Sequence, residues 1–301
     1  MSAPLTCGWT GVFPAATSQF TRELELDLAA TQAVQSALVR DGVHGLVLLG
    51  TVGENNSLSA AEKRSVLQAA VASIGSKVPL IAGVSELTTA NAVAYARDCE
   101  RIGVSGLMVL PAMVYVPNAA ELEFHFRTVA QATALPIMLY NNPPAYRVNI
   151  SVETLQRLAD QPNIVALKES VPDPRRFTDL ANALGDRYAL FAGLDDVVFE
   201  AVLLGARGWV SGLTNAFPAE SLALFAALTR GDLERARRIY RWFMPLLHLD
   251  SDPDLVQAIK LAEQIMGRGS ERVRPPRLPL AGERRAAVTS MVERARDTRP
   301  S

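Results

Sequence analysis

The apolar residues of the chain fall in short continuous runs that alternate with longer amphipathic segments. A continuous apolar run is typical of a strand that is covered on both faces, as in a parallel sheet. We therefore predict eight strands at 11–17, 45–50, 79–83, 106–110, 136–140, 164–168, 188–193 and 208–212.

The segments between these runs carry helix signals. One begins at Ser59, a favoured N-cap residue with Glu62 three places on, and ends at Gly75. The next begins at Thr88 or Thr89 and ends at Gly103. Regular β-then-α alternation over eight units predicts an α/β fold, the (β/α)8 TIM barrel. An open doubly wound sheet is the alternative, although no G-x-G-x-x-G follows the first strand to support a dinucleotide-binding version.

About 70 residues follow the eighth unit. Segments 232–250, 251–267 and 282–297 have helical patterns, and the proline-rich "RVRPPRLPL" at 272–280 is predicted to be a connector. We expect a barrel catalytic domain over 1–230 and a C-terminal helical extension over 231–301 that packs on it.

Composition narrows the class of protein. The 301 residues are 49% hydrophobic and carry a net charge of −1, which argues against a nucleic-acid or anionic-membrane surface. Cys7 and Cys99 offer neither a disulfide framework nor metal-ligand spacing. The first 20 residues lack a signal-peptide pattern, and no apolar run reaches membrane-spanning length. We expect a cytoplasmic protein that acts on a small molecule.

The stretch "NIVALKES" at 163–170 places a lysine at the end of an apolar strand. The chain has four lysines, and only Lys168 ends such a run. Burial lowers the pKa of an amine, and a neutral amine attacks a ketone or imine to form a Schiff base. The alternative is a strand-end lysine with its head in water.

Active sites of this fold lie at the carboxyl ends of the strands. Tyr140 ends the fifth strand and could relay a proton, or it could simply pack at the barrel mouth. Thr51 stands after Gly50 in "GTVGEN", where backbone N–H groups and its hydroxyl could bind a carboxylate. A tight turn with capping residues is the alternative there.

Other strand ends carry weaker signals. Asp195 and Asp196 in "GLDD" could act as paired acids or metal ligands, but adjacent residues point different ways, so we interpret them as helix caps. Gly212 and Asn142 are expected to line the site without a defined role. We expect no metal and no organic cofactor.

The ordered set of strand-end motifs resembles one family of enzymes. "GTVGE", "YNNP", "KES", "G-x-DD" and "GWVSG" together are similar to the dihydrodipicolinate synthase and N-acetylneuraminate lyase family of Schiff-base-forming barrels, over residues 8 to about 270. The resemblance implies that Lys168 forms the Schiff base, Tyr140 relays protons, and Thr51 with Val52 holds the substrate carboxylate. It also implies a homo-oligomer, a dimer or a tetramer.

The chain departs from the lysine-pathway members of that family. They have a second threonine at Val52, and an arginine at Ala145 that holds a second carboxylate, whereas here Arg147 comes two residues later. They also take a tyrosine from the strand-4 loop to complete a hydroxyl relay across a subunit interface. The residues nearest to that place are Met113, Val114 and Tyr115.

These departures argue against dihydrodipicolinate synthesis and favour a one-substrate reaction. "YNNPPAY" and "RWFMPLLHLD" resemble members that act in hydroxyproline breakdown. Our leading hypothesis is therefore deamination and dehydration of 1-pyrroline-4-hydroxy-2-carboxylate to 2-oxoglutarate semialdehyde. The alternatives are a pyruvate-dependent aldolase or synthase, a 2-oxo-3-deoxy sugar-acid dehydratase, and a non-catalytic sensor of 2-oxo acids.

Overall fold

A computed structural model describes residues 8–112 and 115–300. Its eight strands are parallel and follow the order β1-β8-β7-β6-β5-β4-β3-β2. A parallel bridge between Ala15 and Val47 brings β1 beside β2, so the sheet nearly closes. The strands are β1 Gly11–Pro14, β2 Leu46–Leu48, β3 Leu80–Val84, β4 Gly106–Val109, β5 Ile137–Asn141, β6 Ile164–Glu169, β7 Ala189–Ala192 and β8 Gly208–Ser211.

Helices follow the strands in alternation, which confirms the predicted (β/α)8 barrel. Each of the eight predicted strands is present, with ends shifted by a few residues. In the described residues the helices are α1 Leu28–Arg40, α2 Ala60–Ile74, α3 Thr89–Ile102, α4 Ala119–Gln131, α5 Pro143–Tyr146, α6 Val152–Leu158, α7 Arg175–Leu184, α8 Val198–Leu203, α9 Pro218–Thr229, α10 Leu233–Leu247, α11 Leu255–Ile265 and α12 Gly282–Asp297.

The helix ends follow the local chemistry of the sequence. Ser59 and Glu62 form a reciprocal capping box at the start of α2, which satisfies two N–H groups that have no partner within the helix. Thr88 caps α3, and Gly103 ends it at φ 91°, a left-handed conformation that glycine adopts without steric cost. Both boundaries agree with the prediction.

The interior of the barrel is a packed apolar core. All residues of β1 to β8 are buried, as expected for strands covered by helices. Phe13 of β1 and Phe191 of β7 meet edge to face with ring centroids 5.5 Å apart. This geometry suits the ring quadrupoles and fills the barrel with rigid side chains. The packed interior therefore leaves the ends of the barrel as the place where a site can form.

The helices after the barrel pack against it and against each other. Helix α10 lies against α9, and α12 contacts both α10 and α11. Residue 230 as the boundary of a separate extension stays a prediction. Over 8–112 and 115–300, no helix is both long enough and apolar enough to cross a bilayer.

Candidate active site

Lys168 and Tyr140 lie side by side at the carboxyl ends of β6 and β5. They are register partners in the parallel pair, and the Lys168 Nζ atom lies 4.0 Å from the centroid of the Tyr140 ring. Both residues are buried. The sheet register therefore places an amine and a phenol next to each other.

Lys168 differs from the other lysines in its electrostatic partners. Lys63 Nζ lies 2.6 Å from Glu86 Oε1, Lys260 Nζ lies 2.8 Å from Glu54 Oε1, and Lys77 is exposed. Lys168 forms no ion pair within the described residues. A buried charge without a partner is costly, so the amine is driven toward its neutral form.

The pKa of Lys168 reflects that environment. Burial lowers its pKa below the usual 10.5, and electrostatic interactions with Asp250, Tyr146 and Asp195 partly oppose this effect. A neutral amine is the form that attacks a carbonyl carbon. The site thus meets the electrostatic requirement for Schiff-base chemistry.

Gly193, which follows β7, makes room for the Lys168 side chain. A Cβ atom at this position would lie 2.9 Å from Lys168 Cγ and 2.1 Å from Ser170 Oγ. Contacts this short are not found between real side chains. The glycine of "GLDD" is therefore required by the packing of the lysine stem.

One pocket at the mouth of the barrel brings together every site residue predicted from the sequence. Their roles stay predictions, but their convergence from β2, β5, β6 and β8 is a structural fact. The residues that share the pocket are Gly50, Thr51, Val52, Tyr140, Asn142, Lys168 and Gly212.

Tyr115 and Arg147, whose contribution to the site the sequence did not decide, do not line this pocket. Tyr115 is 59% exposed and lies in a surface groove with Phe124 and His125. Arg147 is exposed at the end of α5, where it adopts a left-handed φ of 59°. Met113 and Val114 lie outside the described residues.

Asn142 holds the hydroxyl of Tyr140. Its Nδ2 donates to Tyr140 Oη at 2.8 Å, and its Oδ1 accepts from the Ala145 N–H as the N-cap of α5. Burial raises the pKa of Tyr140 to about 12, and the hydrogen bond from Asn142 opposes that rise. The phenol is protonated at neutral pH and can serve as an acid.

Tyr146 is a pocket residue that the sequence reasoning missed. Its hydroxyl hydrogen-bonds with the Thr51 hydroxyl, and its ring meets that of Tyr140 edge to face at 5.8 Å. The residue stands in the quoted stretch "YNNPPAYR" but not at a strand end. Only the turn of α5 carries it back over the pocket.

The interpretation of Asp195 as a helix cap is wrong. Its carboxylate makes no capping bond to its own short helix. Instead it accepts hydrogen bonds from Trp209 Nε1 at 2.8 Å, the Leu213 N–H at 2.9 Å and Ser211 Oγ at 3.2 Å. Asp195 therefore ties the end of β7 to the end of β8 beneath the pocket.

Asp250 is the second pocket residue that the sequence reasoning missed. It follows α10, more than 80 residues after Lys168, and lines the same pocket. Gly212 lets it approach, because a Cβ there would lie 2.6 Å from Asp250 Oδ1. Burial raises the pKa of Asp250 to about 6, and Lys168 opposes that rise. A carboxyl group that titrates near neutrality thus shares the site.

The charge of the pocket is distinctive. Among its described lining residues, Lys168 is the only one with a basic side chain and Asp250 the only one with a carboxyl group. Ala145 lines the pocket at the place where an arginine was considered. Nothing on this lining would pair with a second carboxylate of a substrate.

Known proteins are similar to the chain in both sequence and fold. The Dihydrodipicolinate synthetase family matches residues 8–295. A 4-hydroxy-tetrahydrodipicolinate synthase of Exiguobacterium sibiricum is 36% identical over 287 residues, which cover 95% of this chain and 97% of the relative.

Two solved structures show the same barrel. Dihydrodipicolinate synthase from Aquifex aeolicus superposes with a TM-score of 0.91 at 28% identity, covering 96% of this chain and 98% of that one. YagE is a prophage protein of the dihydrodipicolinic acid synthase family from E. coli, solved in complex with pyruvate. It superposes with a TM-score of 0.90 at 26% identity, covering 96% of this chain and 99% of its own.

Proposed function

Because the chain belongs to the dihydrodipicolinate synthetase family of lyase and aldolase-type enzymes, we propose that Lys168 forms a Schiff base with pyruvate. The observation that carries the proposal is the buried Lys168 amine, which has no ion pair in the described residues and faces a pocket. The names of the relatives support carbon–carbon synthase or aldolase chemistry. They thereby favour that alternative over the deaminase that we expected from the sequence.

The proposed reaction begins with attack of the neutral Lys168 amine on C2 of pyruvate. Tyr140 gives its proton to the hydroxyl of the carbinolamine, which leaves as water, and a protonated imine remains. Loss of a C3 proton to the Tyr140 oxygen then gives an enamine and restores the phenol. In the synthetic direction the enamine carbon attacks an aldehyde and forms a carbon–carbon bond. In the reverse direction, cleavage of that bond gives the enamine.

The aldehyde partner is proposed to lack a second carboxylate. Charge-assisted hydrogen bonds contribute about 1.5–3 kcal/mol each, and the described pocket lining has no base apart from Lys168. Val52 and Ala145 offer neither a hydroxyl nor a cation where the lysine-pathway enzymes have them. A neutral aldehyde therefore suits this pocket better than a semialdehyde of a dicarboxylic acid.

Borohydride trapping tests the central step. Protein incubated with pyruvate and then borohydride should gain one reduced adduct, which peptide mass mapping should place on Lys168. Lys63→Arg is the matched control, because Lys63 is also buried but is paired with Glu86. An adduct on another lysine would remove Lys168 from the mechanism. No adduct with any 2-oxo acid would favour a non-catalytic sensor.

Deamination of 1-pyrroline-4-hydroxy-2-carboxylate is the second candidate function. It is favoured by Asp250, since a carboxyl group with a pKa of about 6 can protonate a leaving amine or hydroxyl. The same acid would serve a 2-oxo-3-deoxy sugar-acid dehydratase. Asp250 thus supports an elimination reaction, although the relatives are named as synthases.

Product detection separates these reactions. We expect pyruvate consumption with a neutral aldehyde, or pyruvate release from the corresponding 2-oxo-4-hydroxy acid. Ammonia release from the hydroxypyrroline carboxylate, without pyruvate turnover, would instead establish the deaminase. Faster turnover with a carboxylated semialdehyde than with a neutral aldehyde would contradict the proposed acceptor.

We also propose a homo-oligomer in the cytoplasm. The surface groove that holds Tyr115 and Phe124 supports an oligomer, because these side chains are 59% and 66% exposed and their neighbour Val116 is 59% exposed. A contiguous exposed apolar patch is typical of an interaction surface. Light scattering should give the mass of a dimer or a tetramer, and the monomer mass would contradict this.

A further inference from the structure

The turn that follows β2 carries Thr51 and Val52 into the Lys168 pocket. Within the described residues, the backbone N–H groups of Thr51 and Val52 make no hydrogen bond to the protein. They can therefore donate to a ligand in the pocket. Two backbone donors near the Lys168 amine suit the carboxylate of a 2-oxo acid, which is the role expected from the sequence.

Glu54 lies at the end of this turn in a strained conformation. Its backbone is left-handed, with φ 54° and ψ 39°, which is sterically costly for a residue with a Cβ atom. The Glu54 N–H donates to the Thr51 carbonyl oxygen at 3.0 Å, so the position of Glu54 constrains that of Thr51. Backbone strain of this kind persists only where the surrounding structure holds the residue in place.

Lys260 of α11 holds the Glu54 side chain from behind the turn. The Lys260 Nζ atom donates to Glu54 Oε1 and to the Ser18 carbonyl oxygen, both at 2.8 Å. The backbone N–H of Arg274 donates to the other carboxylate oxygen, Glu54 Oε2, at 3.0 Å. The side chains of Glu54 and Lys260 are completely buried, and neither residue lines the pocket. The pair can therefore act on a ligand only through the turn.

Such a pair is better suited to fixing a conformation than to stabilising the fold. The dehydration of two charges offsets much of their attraction, and apolar residues of similar volume often give equal or greater stability. Ser18 ties the same turn a second time, because its hydroxyl donates to the Gly53 carbonyl oxygen at 2.8 Å. The turn is thus held at residues 53 and 54, immediately after the two that line the pocket.

Resting on the proposed function, we propose that the Glu54–Lys260 ion pair positions the β2 turn to bind the carboxylate of the 2-oxo acid. The pair fixes the backbone of Thr51 and Val52 before the ligand arrives, so that binding does not have to order the turn. It thereby favours ketones that carry a carboxylate beside the carbonyl group. Helix α11 takes part in substrate selection, although it follows the barrel in the chain.

The preference for pyruvate over acetone isolates this role. Acetone can form a Schiff base with Lys168 but has no carboxylate, so its trapping by borohydride depends on the amine and not on the turn. In Lys260→Met we expect the ratio of pyruvate to acetone trapping rates, at low concentrations of each ketone, to fall roughly 10- to 100-fold. This is the effect of losing one hydrogen bond to a charged group. Acetone trapping itself should stay close to the wild-type rate.

Lys63→Met is the matched control. It breaks another buried ion pair, in which Lys63 Nζ lies 2.6 Å from Glu86 Oε1, and neither of these residues lines the pocket. We expect this variant to keep the wild-type ratio of pyruvate to acetone trapping. A loss equal to that in Lys260→Met would show that any broken ion pair lowers the preference, and would overturn the proposal.

The double variant Glu54→Gln/Lys260→Met separates positioning from stability. The single variant leaves the Glu54 carboxylate buried without its cation, which can impair folding. The double variant removes both charges, and the new amide can still accept from the Arg274 N–H. We expect urea unfolding to show that stability is recovered relative to Lys260→Met, while the pyruvate preference stays low because the turn has lost its tie to α11.

A wild-type preference in the double variant would overturn the positioning role. So would an equal fall in the trapping of pyruvate and acetone, because that result indicates damage to the whole site. Failure of the double variant to fold would show that the pair serves the fold, and would also overturn the proposal. Absence of any pyruvate adduct in the wild type would refute the proposed function, and this proposal with it.

Discussion

Lys168 Nζ lies over the face of the Tyr140 ring, 4.0 Å from its centroid. The pairing follows from the register of β5 and β6, in which the two residues are partners. A substrate carbon bonded to Nζ would remain beside this ring. Because the phenol is within reach of that carbon and its substituents, one pair of strand-end residues can supply both the nucleophile and the proton donor.

Replacing Lys168 should abolish activity without loss of the fold. The Lys168→Ala variant should give no borohydride adduct and only background turnover. Burial lowers the pKa of this lysine below the usual 10.5 because it disfavours the charged form in the folded state. At pH 7, below the pKa of the unfolded state, this shift disfavours folding. Lys168→Met, which keeps the volume, should therefore match or exceed the wild-type free energy of unfolding at pH 7. A marked destabilisation of Lys168→Met would contradict this electrostatic account.

Removing the Tyr140 hydroxyl should slow turnover by roughly 10²–10⁴, the range for a positioned general acid or base. The ring packing over Lys168 is kept in Tyr140→Phe, so substrate trapping by borohydride should continue at a reduced rate. Tyr188→Phe is the matched control. Its buried hydroxyl donates to the Leu155 carbonyl oxygen at 2.8 Å, just before β7 and away from the pocket, so that variant should keep full activity. Unchanged turnover in Tyr140→Phe would remove the phenol from the mechanism.

Asp250 should set the pH dependence of adduct formation. Its negative charge favours the cation of Lys168 and so raises the pKa of the amine. Asp250→Asn removes that charge, the Lys168 pKa falls further, and the rise of adduct rate with pH should move to lower pH. The control is Asp252→Asn, because Asp252 pairs with Arg284 at 2.6 Å and does not line the pocket. A shift to higher pH, or an equal shift in Asp252→Asn, would contradict this role.

The sequence pattern was sufficient to predict the barrel and the proximity of Lys168 and Tyr140 at its mouth. Strands covered on both faces appear in the sequence as continuous apolar runs, and a polar N-cap or a glycine indicates where a helix begins or ends. Parallel strands bring their carboxyl ends to one face. Lys168 and Tyr140 end adjacent strands, so their proximity followed from the order of elements alone.

Groups that reach the site from outside the strands could not be found in this way. Tyr146 arrives through one turn of α5, and Asp250 arrives from beyond α10, so no local period marks either of them. Asp195 was misassigned because aspartate before a helix usually caps it. Its carboxylate instead satisfies the buried Trp209 N–H, a demand that only the packed structure reveals.

Two buried glutamates outside the pocket make stability depend on pH. Burial raises the pKa of Glu263 to about 7 and that of Glu169 to about 7, from the usual 4.5. Glu263 accepts from Thr17 Oγ1 at 3.0 Å, and Glu169 accepts from Asn141 Nδ2 at 2.7 Å. These bonds, together with the ion pair between Glu169 Oε2 and Arg176 Nε at 3.2 Å, only partly oppose the effect of burial, so the pKa of both carboxyl groups stays above its usual value.

The contribution of these two glutamates to the free energy of unfolding should therefore fall as pH rises from about 4.5 to about 7. In this window the folded state holds protons that the unfolded state has released, and stability declines wherever that is so. Each group can contribute at most about 3.5 kcal/mol to the decline, since one pKa unit corresponds to about 1.4 kcal/mol. Glu263→Gln should reduce the slope measured by urea unfolding at several pH values. Glu62→Gln is a control in which the effect on stability has the opposite sign. Arg274 lowers the Glu62 pKa to about 2, so loss of the Glu62 carboxylate should destabilise the protein at neutral pH. An unchanged slope in Glu263→Gln would show that its carboxyl is already ionised when buried.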